Sequence, residues 1–269
     1  DTWFSSGLWT ISTLGWPEET ADFKDYHPTN VLETGYDILP FWVSRMILMS
    51  TFHLGVVPFK TVYLHGIVRD AQGRKMSKSL GNITDPVTMI EKFGTDATRL
   101  SLIIGTGPGN DSKFSEDKTR GYKNFANKIW NATRYVLTAT LDFDYDSLVG
   151  ANTGKLPAYT EADQVHKNAL DETVKDITSD MENFRYYLAG EKLYHYFWHT
   201  FADIIIEDSK NKLESGDLAV QNSAKRLLAE ILTTSLKLMH PFIPFVTEEI
   251  WSLMPIVGKR LLLVEKWPK

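Results

Sequence analysis

Residues 61–79 read TVYLHGIVRDAQGRKMSKS, an apolar run that leads through a glycine-containing turn into two closely spaced lysines. The run from Thr61 to Val68 has the β-branched and aromatic content of a strand. Lysine carries a compact charge on a flexible stem, so Lys75 and Lys78 suit a polyphosphate whose charge shifts during transfer. The alternative is a solvated basic loop. The preceding strand and the helix start that follows favour the phosphate interpretation.

Helix signals continue after this loop, in the alternation typical of an α/β domain. Asp85 and Pro86 predict the N-cap and first turn of a helix that Gly94 ends. A second helix is predicted from Ala97 to Ile104, with Thr95 or Asp96 as its cap. The Gly- and Pro-containing segment 105–110 then interrupts the chain. We therefore expect a domain boundary close after it.

Beyond residue 113 the apolar residues recur at helical spacing. The first predicted stripe consists of Tyr122, Phe125, Ile129, Thr133 and Val136. The second consists of Leu193, Phe197, Phe201, Ile204 and Ile205, and the third of Leu227, Leu228, Ile231, Leu238 and Met239. Pro241 and Pro244 end the third helix, and Thr247-Glu248-Glu249 is expected to open a last one. The sequence thus predicts an α/β domain over residues 1–113, followed by an all-α helical bundle over residues 114–269.

Composition narrows the class of protein further. The chain has 269 residues, of which 43% are hydrophobic, so it can bury a sizeable core. It lacks cysteine, which excludes disulfides and thiolate metal sites and fits a reducing cytoplasm. No apolar run is long enough for a membrane span, and no secretion signal opens the chain. Because residue 1 is Asp and lies inside a motif, we expect the chain to be a piece of a longer protein.

Several strings resemble class I aminoacyl-tRNA synthetases, in the order that this family shows. The loop Lys75-Met76-Ser77-Lys78-Ser79 resembles the second signature of the family, which binds ATP. The valine-specific branch is matched best, and the remaining strings are Asp1-Thr2-Trp3-Phe4-Ser5-Ser6-Gly7, Thr34-Gly35-Tyr36-Asp37-Ile38 with Phe41-Trp42, His65-Gly66-Ile67-Val68-Arg69-Asp70, and His240-Pro241-Phe242-Ile243-Pro244. The resemblance covers nearly the whole chain. It implies the second half of a Rossmann-type catalytic domain joined to an anticodon-binding domain, and as substrates valine, ATP and tRNA(Val).

The resemblance also implies which residues bind ATP. Gly35-Tyr36-Asp37 reads as a strand-to-helix turn, where glycine permits close backbone approach and a carboxylate can accept hydrogen bonds from ribose hydroxyls. On its own, a Gly-x-Asp string is usually only a turn. The implied ATP-binding set is Thr34, Gly35, Asp37, His65, Gly66, Lys75, Met76, Ser77, Lys78 and Ser79. Lys75 and Lys78 are the expected catalytic pair, and magnesium is expected to arrive with ATP rather than at a structural metal site.

A pocket for valine must be small, dry and rigid, as aromatic walls and a branched aliphatic side chain can make it. Trp3, Ile38 and Trp42 are such residues, and the resemblance places them in the amino-acid pocket together with Asp37. Taken alone, three large apolar residues more often form ordinary core. Packing of this kind rejects a hydroxyl-bearing isostere such as threonine only weakly.

A basic and aromatic run follows residue 117 and is a candidate for contacts with RNA phosphates and bases. Its predicted tRNA-binding residues are Lys118, Arg120, Lys123, Lys128 and Arg134. The alternative is a solvated helix face, with Phe125 and Trp130 packed inward. His195 and His199 are expected to be core or rim residues rather than ligands.

The first family signature, His-x-Gly-His, is absent from this sequence, and His53-Leu54-Gly55-Val56 is the nearest string. The family's editing insertion is also absent. We therefore expect a missing N-terminal half of the same enzyme and little aminoacylation by the isolated chain. Two alternatives stay open, namely a fragment of an isoleucine–tRNA ligase and a tRNA-binding module without catalysis.

Overall fold

The computed structural model describes residues 2–149 and 156–268. Asp1, the first residue of one family-like string, lies outside the described residues. The chain divides into two compact units. The first comprises residues 1–75 and 106–113, and the second comprises residues 76–105 and 114–269. Residues 76–105 thus pack with the helical part of the chain, whereas the division at residue 113 stays a prediction about domains.

The first unit is an α/β arrangement around two parallel strand pairs. Its helices are α1 (Thr2–Gly7), α2 (Trp9–Ser12), α3 (Ala21–Tyr26) and α4 (Ser44–Leu54), and its strands are β1 (Thr29–Gly35), β2 (Phe59–His65), β3 (Val68–Arg69) and β4 (Ser112–Lys113). A 3₁₀ turn (Tyr36–Ile38) and a π-helical segment (Leu39–Val43) lead from β1 into α4. Strand β1 pairs with β2, and β3 pairs with β4. Leu32, Val43, Met46 and Phe59 form the small buried core.

The predicted strand from residue 61 to residue 68 is two strands in the structure. Strand β2 ends at His65, and β3 begins at Val68 with a different partner. The break falls at Gly66, where the backbone of residues 110–111 passes too close for any side chain. Composition identified the strand but could not show this crossing.

The second unit is helical. It contains a 3₁₀ turn (Lys78–Leu80), α5 (Pro86–Phe93), α6 (Thr95–Ile103), α7 (Glu116–Ala139), α8 (Tyr145–Leu148), α9 (Glu161–Glu182), α10 (Tyr186–His195), a π-helical segment (Tyr196–Ile205), α11 (Ile206–Leu213), α12 (Leu218–Met239), α13 (Pro244–Leu253) and a last 3₁₀ turn (Leu262–Val264). Its main core draws on α6, α7 and α9 to α13. No helix in the described ranges is long and apolar enough to cross a bilayer.

Most predicted helices of this unit are present. Helix α5 begins after Asp85, whose carboxylate accepts a hydrogen bond from Val87 N–H, and it ends at Gly94 as expected. The predicted stripes on α7 and α12 are buried, apart from the half-buried Tyr122. In the second stripe the prediction for Ile204 is wrong, because this side chain is 56% exposed. It lies in the π-helical segment, where the turn is wider than in an α-helix.

Two predictions about helix starts are also wrong. Neither Thr95 nor Asp96 caps α6, which has Gly94 at its N-cap position without a side-chain hydrogen bond. The last helix begins at Pro244, three residues before the predicted start at Thr247. Proline is well suited to the first helical turn because it lacks an N–H that would stay unpaired there.

Candidate functional site

The predicted nucleotide residues of the first unit meet at the carboxyl ends of β1 and β2. Gly35 is paired with His65, and Thr34 with Leu64, so the two parallel strands end side by side. Thr34 is buried, whereas Asp37, just beyond the end of β1, is exposed. In open α/β sheets ligands bind at the carboxyl ends of the strands. The geometry therefore agrees with a ligand site at this edge.

Gly35 lets the chain fold back on itself at this edge. A Cβ atom at this position would lie 2.8 Å from Asp37 Oδ1 and 3.5 Å from His65 Cε1. The Asp37 carboxylate therefore lies directly over the end of β1. The His65 ring is held by its own neighbours, since Nδ1 lies 2.8 Å from Gly66 O and Nε2 lies 3.3 Å from Glu33 Oε1. Glu33 was not among the predicted site residues.

Gly66 is confined by a second chain segment. A Cβ atom on Gly66 would lie 1.9 Å from Asn110 O and 2.6 Å from Asp111 N, which no side chain can tolerate. Gly109 N–H donates to Leu64 O at 2.8 Å on one side of the crossing. The end of β2 and the segment 109–111 are thus locked backbone to backbone. Gly66 presents only main-chain atoms at this crossing, and its place in the ATP-binding set stays a prediction.

Asp111 joins two of the surrounding segments, the turn after β1 and the stretch 67–69, and was missed by sequence reasoning. Its Oδ1 accepts hydrogen bonds from Ile67 N–H at 2.7 Å and from Tyr36 O–H at 3.1 Å. Its Oδ2 accepts from Arg69 Nε–H in a close ion pair. The Ile67 N–H and the Arg69 guanidinium, in that order, hold the pKa of this carboxyl below its usual range. A single Asp in a glycine-rich turn carries no periodic signal, so the sequence alone did not mark it.

The chain between Arg69 and Lys75 is a tight hairpin. Asp70 N–H donates to Arg74 O at 3.0 Å, and Arg69 and Lys75 form an antiparallel bridge. The Asp70 carboxylate accepts from Gln72 N–H, Arg74 N–H and Arg74 Nε–H, so it organises the turn from inside. Lys75 is exposed at the foot of this hairpin, where the first of the two stretches of the first unit ends.

Met76 to Ser79 belong to the second unit and have their own local structure. Ser77 caps the short 3₁₀ turn, because its Oγ accepts from Leu80 N–H at 3.3 Å. Ser77 N–H donates to Asn82 Oδ1 at 2.9 Å, and the Ser77 and Ser79 hydroxyls lie 3.1 Å apart. These contacts give the serines a role in holding the loop, while Lys78 is exposed.

The predicted amino-acid pocket residues have separate sets of contacts. Trp42 packs edge-on against Trp9, with 5.8 Å between the ring centroids. Trp3 lies under the Arg45 guanidinium, 5.2 Å from the ring centroid. Ile38 is 37% exposed. Their meeting in one pocket stays a prediction. Trp9 and Arg45, which sequence reasoning had not singled out, are further residues of this region.

The structure separates the five predicted tRNA-binding residues of α7 by their contacts. Lys118 Nζ–H donates to Ser101 O at 3.0 Å and to Ile104 O at 2.6 Å, which satisfies carbonyls at the end of α6. Burial lowers the pKa of its ammonium group. Lys128 Nζ is paired with Asp203 at 2.7 Å. Both of these lysines are therefore engaged inside the helical unit.

The other three residues of this set are more exposed. Lys123 Nζ–H donates to Lys92 O at 3.2 Å, and Arg120 lies 3.5 Å from Asp117. Arg120 and Arg134 belong to an exposed stripe with a spacing of three and four residues along α7. This polar stripe consists of Arg120, Asn124, Asn127, Asn131, Arg134 and Thr138. It carries two cations and three carboxamides, and none of its six members is acidic.

His195 and His199 belong to the second unit and are not among the predicted ATP-binding residues. Their rings are 5.6 Å apart, and both line a cavity of about 540 Å³ bordered by α9, α10 and the π-helical segment. Among the residues that the structure describes, no group of three or more His, Asp or Glu side chains is arranged to hold a metal ion.

Comparison with known proteins places both parts of the chain. Residues 1–115 match the family model described as tRNA synthetases class I (I, L, M and V). Residues 163–269 match the model described as the anticodon-binding domain of tRNA ligase.

Curated relatives match over the whole chain. The chain is 44% identical to a valine–tRNA ligase of Clostridium tetani, 47% identical to one of Bacillus cereus and 44% identical to one of Thermotoga maritima. Each alignment covers 100% of this chain but only 30% of the relative. The chain thus spans under a third of the length of these relatives.

Solved structures share the fold at lower identity. The ternary complex of Agrobacterium radiobacter K84 agnB2 LeuRS with tRNA and LeuAMS matches with a TM-score of 0.80 at 21% identity, over 100% of this chain and 32% of that one. A Mycobacterium tuberculosis methionyl-tRNA synthetase bound by methionyl-adenylate matches with a TM-score of 0.73 at 22% identity, over 93% of this chain and 51% of that one. Residues 1–115 therefore belong to the class I tRNA synthetase family, and residues 163–269 to the anticodon-binding domain family of tRNA ligases.

Proposed function

We propose that this chain is a segment of a valine–tRNA ligase, which activates valine with ATP and transfers it to tRNA(Val). The proposal that ATP binds here rests on the position of the Asp37 carboxylate. This carboxylate lies over Gly35 and beside His65, where β1 and β2 end together. The choice of valine rests on the names of the curated relatives, which match the whole chain at 44–47% identity.

At the strand ends, Thr34, Gly35 and Asp37 would bind the ribose of ATP. The exposed Asp37 carboxylate can accept hydrogen bonds from ribose hydroxyls, and the absence of a side chain at Gly35 leaves room for that carboxylate over the strand end. His65 and Gly66 would meet adenine through main-chain atoms. The His65 side chain already contacts Gly66 O and Glu33, which supports a structural part for the imidazole.

In the activation step the valine carboxylate attacks the α-phosphorus of ATP, an acyl–phosphate bond forms, and the bond to the departing pyrophosphate breaks. Lys75 and Lys78 would neutralise the negative charge that develops on the phosphates. Met76, Ser77 and Ser79 would shape the loop, in agreement with the capping contacts of Ser77. Magnesium would enter as the ATP complex, since ATP phosphates are its usual ligands.

Trp3, Ile38, Trp42 and Asp37 would form the valine site. Partly exposed aromatic and branched side chains, Trp3 in α1 and Ile38 and Trp42 after β1, suit a small apolar side chain of the substrate. The ammonium group of valine would be balanced by the Asp37 carboxylate.

The tRNA would be bound by the helical part, and the polar stripe on α7 is its proposed contact. Guanidinium and carboxamide groups can bind phosphates and unstacked base edges. Of the five predicted residues, Arg120 and Arg134 are the favoured ones, because Lys118 and Lys128 are engaged within the unit.

The complete enzyme would also need the first family signature, which this sequence does not contain. We expect that signature in a further part of the same protein, and we expect the isolated chain to aminoacylate little. The activity would belong to the cytoplasm, where tRNA and ATP are available.

The test is amino-acid-dependent exchange of pyrophosphate into ATP by the full-length protein, with valine, isoleucine and threonine compared. Lys78→Ala should abolish most of the exchange. Lys60→Ala, which changes an exposed lysine at the opposite end of β2, is the matched control and should leave the rate unchanged.

Exchange that valine drives, with loss in the Lys78 variant alone, supports the proposal. Exchange driven best by isoleucine would assign the chain to an isoleucine–tRNA ligase. If no amino acid supports exchange while tRNA still binds, the chain is part of a binding module without catalysis.

A further inference from the structure

The carboxylate of Asp111 has three donors, one in the turn after β1 and two in the stretch 67–69, all within the first unit. Tyr36 O–H reaches it at 3.1 Å, Ile67 N–H at 2.7 Å, and Arg69 Nε–H forms the close ion pair. The Asp111 side chain is 22% exposed and the Arg69 side chain 32% exposed, so the pair lies at the edge of the fold.

Each of these donors is next to a part of the proposed nucleotide site. Tyr36 stands between Gly35 and Asp37, the two residues proposed for the ribose. Ile67 follows Gly66, whose main chain is proposed to meet adenine. Asp111 therefore fixes the ends of β1 and β2 relative to each other through one side chain.

Arg69 extends the same connection toward Lys75. Arg69 opens the tight hairpin and is bridged to Lys75 at its foot. Arg69 Nη1 also lies within 3.4 Å of Gly73 O in the turn. The ion pair with Asp111 thus orients the base of the hairpin that delivers the first lysine of the loop.

The negative charge is required for this arrangement. A carboxylate offers only acceptors, so it can serve a main-chain N–H, a phenol and a guanidinium at once. An asparagine of the same shape keeps one acceptor oxygen but turns an NH₂ group toward either Arg69 or the other two donors. Because donors repel donors, Asp111→Asn would release part of the junction without removing volume from it.

We propose that Asp111 is a positioning residue for ATP, which holds the ribose segment, the adenine segment and the base of the lysine hairpin in one arrangement. This inference rests on the proposed function of the same strand ends. Asp111 acts through Tyr36, Ile67 and Arg69. It has no contact of its own with the reacting atoms in this proposal.

The experiment measures ATP binding by equilibrium dialysis and valine-dependent exchange on the full-length protein, comparing wild type with Asp111→Asn. The Kd and the KM for ATP should rise by roughly ten- to a hundredfold, the usual effect of leaving a polar partner unpaired. The KM for valine should change by less than about twofold. The unpaired donor also lowers stability, so both KM values are measured well below the unfolding midpoint of the variant. Asp25→Asn, at an exposed carboxylate on α3, is the matched control.

Tyr36→Phe provides a second variant that cannot be confused with misfolding, because it removes only one hydroxyl group. It should raise the KM for ATP several-fold alone and add little on top of Asp111→Ala, since that change removes the oxygen that accepts from the Tyr36 hydroxyl. Full additivity of the two changes would overturn the proposal. So would an unchanged Kd for ATP in Asp111→Asn, or equal increases in the KM for ATP and for valine together with a lowered unfolding midpoint.

The two proposals fail in different ways. If wild type binds ATP but shows no exchange with valine, the proposed valine–tRNA ligase function is wrong. The change in the Kd for ATP caused by Asp111→Asn still tests the role of Asp111. If wild type does not bind ATP at all, both proposals are wrong.

Discussion

The carboxylate of Asp96 accepts a hydrogen bond from the backbone N–H of Val246 at 2.7 Å, across 150 residues of chain. A second bond, from Phe245 N–H at 3.2 Å, completes the contact. Asp96 lies in the first turn of α6, yet it caps the first turn of α13. A residue that the sequence marks as a local helix start thus joins the two ends of the helical unit.

Asp96→Ala should loosen α13 at its N-terminus. Loss of a side-chain cap costs about 0.5–2 kcal/mol, and this buried example should lie toward the upper end. Amide hydrogen exchange at Phe245 and Val246 is the measurement, and both amides should exchange faster. Asp217→Ala, which removes an exposed cap of α12, is the matched control and should leave those two amides unchanged.

Asp96→Asn should change how stability depends on pH. Burial raises the pKa of the Asp96 carboxyl, against the opposing effect of the two amide donors. The folded protein therefore holds this proton more tightly than the unfolded chain does. At neutral pH, where Asp96 is ionised, the protein is less stable than it would be with Asp96 protonated. As the pH falls through the raised pKa, wild type should gain stability relative to Asp96→Asn. Urea unfolding at several pH values between neutral and about 4 tests this, and a constant difference would contradict it.

Gly66→Ala should disrupt the first unit, because its Cβ would lie 1.9 Å from Asn110 O. Overpacking costs about 1–3 kcal/mol, and here the obstacle is backbone, which cannot rotate away. We expect a lower thermal midpoint and loss of ATP binding by the full-length protein. Gly121→Ala is the control, since a Cβ on this α7 glycine meets nothing within 4 Å. It should stabilise α7 by about 0.5–1 kcal/mol, and equal effects of the two changes would refute the crossing.

Local rules account for what the sequence predicted correctly. Asp85 caps the helix that starts at the next residue, and the buried stripe of α7 repeats at helical spacing. Each of these depends on residues within about one or two turns of each other. The strand that precedes the lysine loop was likewise found from its own composition.

Long-range contacts account for what it missed. Asp111 is bonded to residues 42 to 75 positions away, and nothing in its own segment indicates those partners. The prediction that Ile204 is buried was wrong for another reason. It follows Phe197 by seven residues, which is close to two turns of an α-helix but less than two turns of the wider π-helical segment. A helical period of 3.6 residues therefore assigned it to the buried side, whereas it is exposed.

Lys118→Met should lower the free energy of unfolding clearly, whereas the affinity for tRNA should change little. The ammonium group satisfies the carbonyls of Ser101 and Ile104, and leaving such buried acceptors unpaired costs about 1–3 kcal/mol. Chemical unfolding should show this loss, while binding of tRNA(Val) by the folded protein should fall less than twofold. A large loss of affinity at unchanged stability would instead place Lys118 among the tRNA contacts.

Arg134→Gln should show the opposite pattern. Arg134 is exposed on the polar stripe of α7, so its replacement should change the free energy of unfolding by less than about 0.5 kcal/mol. If it binds a phosphate, tRNA affinity should fall and the slope of log affinity against log salt should become shallower by about 1. Filter binding of tRNA(Val) at several salt concentrations measures both quantities. An unchanged slope would remove Arg134 from the proposed contact.

Ile38→Ala should enlarge the proposed valine site. Removing methylene and methyl groups from a substrate pocket changes discrimination by about 1–3 kcal/mol, so kcat/KM for valine should fall about ten- to a hundredfold in pyrophosphate exchange. The kcat/KM for isoleucine should fall less than the kcat/KM for valine, because the vacated volume can receive the additional methylene of isoleucine. Leu39→Ala changes the adjacent side chain, which is 41% exposed and was not assigned to the pocket, and it should leave the ratio of valine to isoleucine unaltered. If both variants shift that ratio equally, the segment after β1 acts through its packing, and Ile38 does not contact the amino acid.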